Sequence, residues 1–228
     1  MNPEIVYKDK NVIVVLKPVG MPSQSDPTGD MDALSATSAL LSDAGDSADL
    51  WLVHRLDRNV GGLIAFARNK RSAAALSELI ANGELTKKYL AVCHGEAKEG
   101  EYLDFLYKDS ATNKAYVVKG ERRGAKQARL TLSSLGSEDG KSLVFVTLET
   151  GRFHQIRAQL SARGNSLVGD KKYGSKDSKR RTPCLFSCEL GFKLFGKSIS
   201  VKALPNIEEY PWNLFPEEAY ERAGKKYE

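Results

Sequence analysis

Apolar positions in this chain fall into short blocks with two different spacings. Val12-Ile13-Val14-Val15-Leu16 and Leu63-Ile64-Ala65-Phe66-Ala67 are unbroken apolar runs of strand length, and such runs predict strands covered on both faces. Ile5 to Leu16 reads as two strand segments around an Asp9-Lys10-Asn11 turn, and Lys17-Pro18-Val19-Gly20 stops the second of them. Thr86 to Val92 returns as a strand. Gln127 to Leu135 and Leu143 to Thr150 flank Ser137-Glu138-Asp139-Gly140 and predict a hairpin. A spacing of three and four marks the helices. One begins near Asp32, with Leu34, Leu40 and Leu41 inward. A second covers Ser72 to Ala81, with Leu76, Leu79 and Ile80 on one stripe and Gly83 near its stop. A third covers Arg152 to Arg163, with Phe153, Ile156 and Leu160 inward and Gly164 as its stop.

Strands separated by few helices predict an α+β fold with a mostly antiparallel sheet. Residues 22–49 read as a surface connection, too short and too little biased for an interdomain linker. The chain shows no internal repeat. Its tail predicts an Ile199-Ser200-Val201 strand, then an irregular end broken by Pro205, Pro211 and Pro216, with Trp212 and Phe215 packed on the body.

The second apolar run is preceded by a cluster of charge. Val53-His54-Arg55-Leu56-Asp57-Arg58-Asn59-Val60-Gly61-Gly62 places one carboxylate, Asp57, between two guanidinium groups and then a pair of glycines. A site anchored to a buried strand keeps its geometry better than one on a free loop. Asp57 beside arginines favours its charged form, which suits a nucleophile or base better than an acid. The glycines allow close approach of another backbone or of a ligand. As residues alone, Arg55, Asp57 and Arg58 serve equally well as a surface ion-pair network.

His54-Arg55-Leu56-Asp57, followed by Gly62-Leu63 and an apolar strand, resembles the signature of the RluA-type pseudouridine synthases, in which the aspartate attacks a uridine in RNA. Three further stretches match in the family's order. Lys17-Pro18-Val19-Gly20 resembles its opening motif. Gly151-Arg152-Phe153-His154-Gln155-Ile156-Arg157 resembles its second strong motif, whose last arginine pairs with the catalytic aspartate. Leu185, in the Pro183-to-Phe192 segment, stands where the family has a leucine under the uracil, and Tyr89 stands where its tyrosine packs on the target base. The sequence departs from the family at Val60-Gly61, where a threonine or serine precedes the glycine, at Phe153, which replaces a small or polar residue, and at Phe186, where a histidine is common. The resemblance runs from about Ile5 to Pro205. It implies a mixed central sheet flanked by helices and loops, with the catalytic cleft across its middle.

Charge adds a partner. The 228 residues carry a formal net charge of +5, modest in total but concentrated in two places. Lys108 to Arg129 is poor in large apolar residues and reads as a mobile basic loop, with Arg122, Arg123 and Lys126 as phosphate contacts. Lys171, Lys172, Arg180 and Arg181 belong to the second cluster. With Arg58, these are the expected contacts to an RNA backbone.

Other classes of function find little support. Cys93, Cys184 and Cys188 are an odd number in apolar contexts, which fits a reduced cytoplasmic protein. The three histidines are scattered, and no ligand set has the spacing of a metal site. No dinucleotide or nucleoside-triphosphate motif is present, in keeping with an isomerisation that needs no cofactor. The start lacks a signal-peptide pattern, and no apolar run reaches membrane-spanning length. The expectation is one catalytic domain over residues 1–228, monomeric, without a separate N-terminal RNA-binding domain. It acts on ribosomal or transfer RNA, with Asp57 as catalytic carboxylate and Arg55, Tyr89, Arg157 and Leu185 binding the substrate. The alternative is a catalytically idle RNA-binding or ribosome-assembly protein on the same fold. Which of the two chemical routes Asp57 follows, attack on the sugar or removal of a ribose proton, the sequence leaves open.

Overall fold

Two unbroken apolar runs need cover on both faces, and pairing with each other first satisfies their backbone edges. The computed structural model describes residues 2–225. The chain forms two compact units, one of residues up to 87 with 186–203, the other of 88–185 with those from 204 onward.

The first unit opens with β1 (Glu4–Lys8), β2 (Val12–Lys17), α1 (Ala33–Asp43), β3 (Trp51–Leu52), β4 (Gly61–Ala67) and α2 (Lys70–Ala81). β2 pairs antiparallel with β1 on one side and with β4 on the other, from Val12 opposite Ala67 to Lys17 opposite Gly62. Every residue of β4 is buried, as its composition predicts. α2 starts where the Asn69 side chain accepts the amide of Ser72 at 2.8 Å. It lays Leu76 on Val12, Val14, Leu63 and Ala65, with Leu79 and Ile80 half-buried at the margin. α1 is capped at Asp32, near where the sequence puts its start. Its inward stripe is Ala33, Ala36, Thr37 and Leu41, while Leu34 and Leu40 are only half-buried. Small residues at helical spacing take the contact face, so the leucines alone misplace it.

The second unit contains β5 (Thr86–His94, entered from the first unit), β6 (Gly100–Asp109), β7 (Lys114–Val118), β8 (Ala125–Glu138), β9 (Lys141–Leu148) and α3 (Gln155–Ala162). β9 pairs with β5 and β8, and β6 pairs with β8 and β7, all antiparallel. The expected mobile loop from Lys108 to Arg129 is therefore corrected: most of it is paired strand. Three of its cations are seated on aromatic rings, Arg122 at 4.4 Å over Tyr107, Lys108 at 4.5 Å over Phe153 and Lys114 at 5.0 Å over Tyr173. A count of charges hides this arrangement, because in β7 the covered Ala115 and Val117 alternate with Lys114 and the exposed Tyr116, as a half-covered strand requires.

α3 is shorter than predicted and buried more completely. His154 takes a left-handed conformation, φ +51°, so the helix begins at Gln155. The Gln155 amide oxygen accepts from Thr150 and from the Arg152 backbone, and its nitrogen donates to the Arg129 carbonyl. Six successive residues from Gln155 to Leu160 are buried, polar ones included.

β10 (Leu185–Leu194) and β11 (Lys197–Lys202) return the chain to the first unit, where β10 runs parallel to β4 and β11 antiparallel to β10. Gly62, with φ +109°, makes the parallel contact possible, since a Cβ there would lie 2.3 Å from the Ser187 carbonyl oxygen. The tail buries Trp212 and Phe215 as predicted. It then forms α4 (Glu217–Lys225), which the proline count conceals, since Pro216 stands just before the first turn, where proline suits a helix start. The class is α+β with mixed, mostly antiparallel strand pairing.

Candidate active site

The segment before β4 is held by main-chain contacts as well as by the charge of Arg58. Ser23 Oγ donates to the Leu56 carbonyl at 2.8 Å and accepts the Leu56 amide at 3.0 Å. Gly20 N donates to the Arg58 carbonyl at 2.9 Å, and Val60 N to the Asp57 carbonyl at 3.0 Å. Asp57 is thus half-buried on a fixed turn at the mouth of β4. The two flanking arginines diverge. Arg55 is exposed. Arg58 is turned onto the residues after β2, donating Nε to Gly20 O at 2.9 Å and Nη1 to Thr28 Oγ1 at 3.0 Å, with Asp26 and Asp30 as its ion-pair partners.

Beneath this turn lies Lys17, only 1% exposed. Its Nζ donates to the carbonyls of Met21 at 2.7 Å, Pro18 at 2.9 Å and Arg58 at 3.1 Å. Three acceptors match the three donors of an ammonium. Burial pulls its pKa down to about 7, against the opposing pull of the Asp57 carboxylate. His54 ties the same turn to the strand, its Nε2 accepting the Ala65 amide at 3.0 Å. Burial, helped by the charge of Lys87, lowers this imidazole to about 3, so it is neutral and the proton sits on Nδ1. The sequence reading placed Lys17 and His54 in motifs without giving either a role, and it missed Ser23. The available signal was a lysine closing a strand whose other residues are all apolar.

In the second unit, Tyr89 is buried on β5, and Leu185 is buried at the first position of β10. Arg157, on α3, is buried at 7% exposure. Asp170, 1% exposed on its carboxylate, receives Arg157 Nε at 2.7 Å and Nη2 at 2.9 Å. A buried guanidinium requires such a fork, because an unpaired charge there is costly. The ring of Tyr173 lies 5.0 Å from the guanidinium carbon, and the Tyr173 hydroxyl accepts the Ala115 amide at 2.8 Å. Asp170 was hidden in the sequence by the lysines that follow it.

The predicted phosphate contacts divide by role. Arg122, Arg123, Lys126, Lys171, Lys172 and Arg181 are exposed. Lys172 Nζ donates to the Asn113 carbonyl at 3.0 Å, which brings the second basic cluster against the turn between β6 and β7. Arg180 is half-buried and ties its loop to the tail, donating Nε to Thr182 O and Nη1 to Tyr210 O. The three cysteines are free and buried, and burial pushes the Cys93 thiol up to about 12. Among the described residues no group of His, Cys, Asp and Glu side chains is placed to hold a metal ion, and no helix is long and apolar enough to cross a membrane.

Comparison with known proteins agrees with this reading of the chain. The fold is that of the pseudouridylate synthases: the solved human RNA pseudouridylate synthase domain containing 4 matches with a TM-score of 0.75 at 23% identity, over 90% of this chain and 89% of that one. The chain belongs to the RNA pseudouridylate synthase family, whose sequence model matches residues 11–162, and it is of the RluA type. A ribosomal large subunit pseudouridine synthase C of Rickettsia felis is 33% identical over 207 residues, 87% of this chain and 66% of that protein. An uncharacterized RNA pseudouridine synthase of Mycoplasma genitalium is 31% identical over 83% of this chain and 63% of its own length. One of Haemophilus influenzae is 27% identical over 92% of this chain and 91% of its own. The chain thus spans slightly less than two thirds of the first two relatives and nearly all of the third.

Proposed function

We propose that this protein isomerises specific uridines in ribosomal or transfer RNA to pseudouridine, with Asp57 as the catalytic carboxylate. One observation carries the reading. Asp57 stands on a turn fixed by Lys17, Ser23 and Gly20 at the mouth of a wholly buried strand, inside the family's sequence signature. A carboxylate held this rigidly is suited to meeting one sugar in one orientation.

The reaction breaks the bond between N1 of uracil and C1′ of ribose, turns the base, joins C5 to C1′, releases the hydrogen of C5 as a proton and leaves N1 protonated. Atoms and electrons balance without an oxidant or a reductant, so no redox cofactor is called for. Asp57 acts on the sugar, either by attack at carbon or by taking a ribose proton. Reaching the sugar and base requires the nucleotide to leave its stack, at a cost of a few kcal/mol. Arg55, exposed beside Asp57, and Tyr89, Leu185 and Arg157 are assigned to substrate binding. Asp170 is the positioning partner of Arg157. Arg122, Arg123, Lys126, Lys171, Lys172 and Arg181 are assigned to the RNA backbone. Arg58 and Arg180 join them through the loops that they order. The protein works as a single catalytic domain, as a monomer and in the cytoplasm.

Release of tritium from RNA labelled at C5 of uridine tests the assignment. Wild-type protein releases it in proportion to pseudouridine formed. Asp57→Asn abolishes release while keeping RNA affinity within a few-fold. Release that persists in Asp57→Asn, or affinity that collapses with it, contradicts the role given to the carboxylate.

A further inference from the structure

At the other end of β4 from Asp57, the first unit carries an open groove of about 800 Å³ between the β1–β2 turn, the start of α2 and the β10–β11 turn. Along β4, at ~3.3 Å per residue, the two ends are roughly 20 Å apart. The groove is lined by Lys10, Asn69, Arg71, Phe195 and Lys197. Its one acidic lining residue, Asp9, is already engaged by Lys197, by the Tyr7 hydroxyl and by the amides of Asn11 and Val12. Among the described residues Lys10 and Arg71 have no carboxylate partner, so the groove presents unbalanced positive charge.

Phe195 makes the groove unusual. It and Gly196 form a two-residue turn between Leu194 and Lys197, both with positive φ, +49° and +85°. Such a turn selects asparagine, aspartate or glycine, and a bulky side chain in that conformation is an outlier that persists where something else is gained. Phe195 is 46% exposed, and its ring faces the Arg71 guanidinium at 4.6 Å. An exposed aromatic beside unpaired cations in a concave surface matches the chemistry of an unpaired nucleotide, whose base offers a π-face and whose phosphate takes the charge.

We propose that this groove is a second RNA-contact site that takes a single-stranded nucleotide flanking the modified uridine. The inference rests on the reading of the protein as an RNA-modifying enzyme. The base stacks on Phe195, and Lys10 and Arg71 hold the adjacent phosphates. The site adds affinity and selects among RNAs without touching the reaction.

The test uses Asp57→Asn protein, which binds without turnover, and two RNAs: the shortest stem-loop that wild type converts, and the same stem-loop extended on both sides by about ten unpaired nucleotides. Phe195→Asn removes the ring while suiting the turn, so folding is preserved, and Arg71→Gln removes the charge. Wild-type surroundings bind the extended RNA more tightly than the bare one. Each variant loses that gain, about five-fold or more, and tritium release from the bare stem-loop is unchanged when Asp57 is restored. Equal affinity of variants and parent for the extended RNA overturns the groove assignment. Absence of tritium release from wild-type protein overturns the enzymatic reading instead, and the groove's role in selecting its substrates falls with it.

Discussion

Lys17 shows how much a single side chain governs here. Its ammonium joins the backbone just after Asp57 to the turn that leaves β2, so it positions the carboxylate without needing to touch the substrate. In the unfolded chain it titrates near 10.5, and in the folded protein at about 7. Between those values the unfolded chain holds the extra proton, so the free energy of unfolding rises with pH. Wild-type protein accordingly gains stability relative to Lys17→Met as pH rises from 7 to 10, measured by urea denaturation at each pH. A difference that stays constant over that range contradicts the assignment. At this scale the sequence gathered residues that lie in contiguous motifs, such as His54 to Asp57. It was blind to partners that folding brings in from elsewhere. Lys17 lies 41 positions from the carbonyl of Arg58, and Asp170 is 13 from Arg157, with nothing local to announce either pair.

Among the elements, β4 carries the greatest constraint, because β10 passes close against its first turn of chain. Gly62→Ala combines a disfavoured φ with a clash against Ser187 backbone that cannot move aside, and costs about 3 kcal/mol or more. Gly61→Ala is the milder change. Its Cβ meets the Val19 side chain at 3.0 Å, which can shift, and the loss is about 1 kcal/mol. Equal losses for the two variants in denaturant titrations contradict this account of the parallel contact. β2, β4 and α2 were legible because burial and periodicity coincide in them. β6 and β7 were not, because their apolar positions are mixed with charged ones, and the cations seated on rings, Lys108, Lys114 and Arg122, read as solvated charge. α3 was mis-bounded because its start depends on Gln155 satisfying the preceding backbone rather than on a conventional cap.

For the whole molecule, charge placement matters more than the total of +5. If the exposed basic residues of the second unit meet phosphates, RNA affinity falls steeply as salt is raised, and replacing Arg122, Arg123 and Lys126 by glutamine lowers the slope of log Kd against log salt by up to about one per residue. An unchanged slope assigns those side chains to solvent. The class of fold was readable from the order of strands and helices. The division into two compact units was not, because residues 186–203 return to the first unit through ordinary strand sequence, with no linker composition to mark the crossing.

The central claim is that Asp57 converts uridine to pseudouridine in cellular RNA. Its most direct test is a map of pseudouridine across total ribosomal and transfer RNA from cells lacking the protein, with wild type or Asp57→Asn restored. The account predicts one or more sites that vanish, return with wild type and stay absent with Asp57→Asn. A map unchanged at every site, with the protein demonstrably missing and then demonstrably expressed, contradicts it.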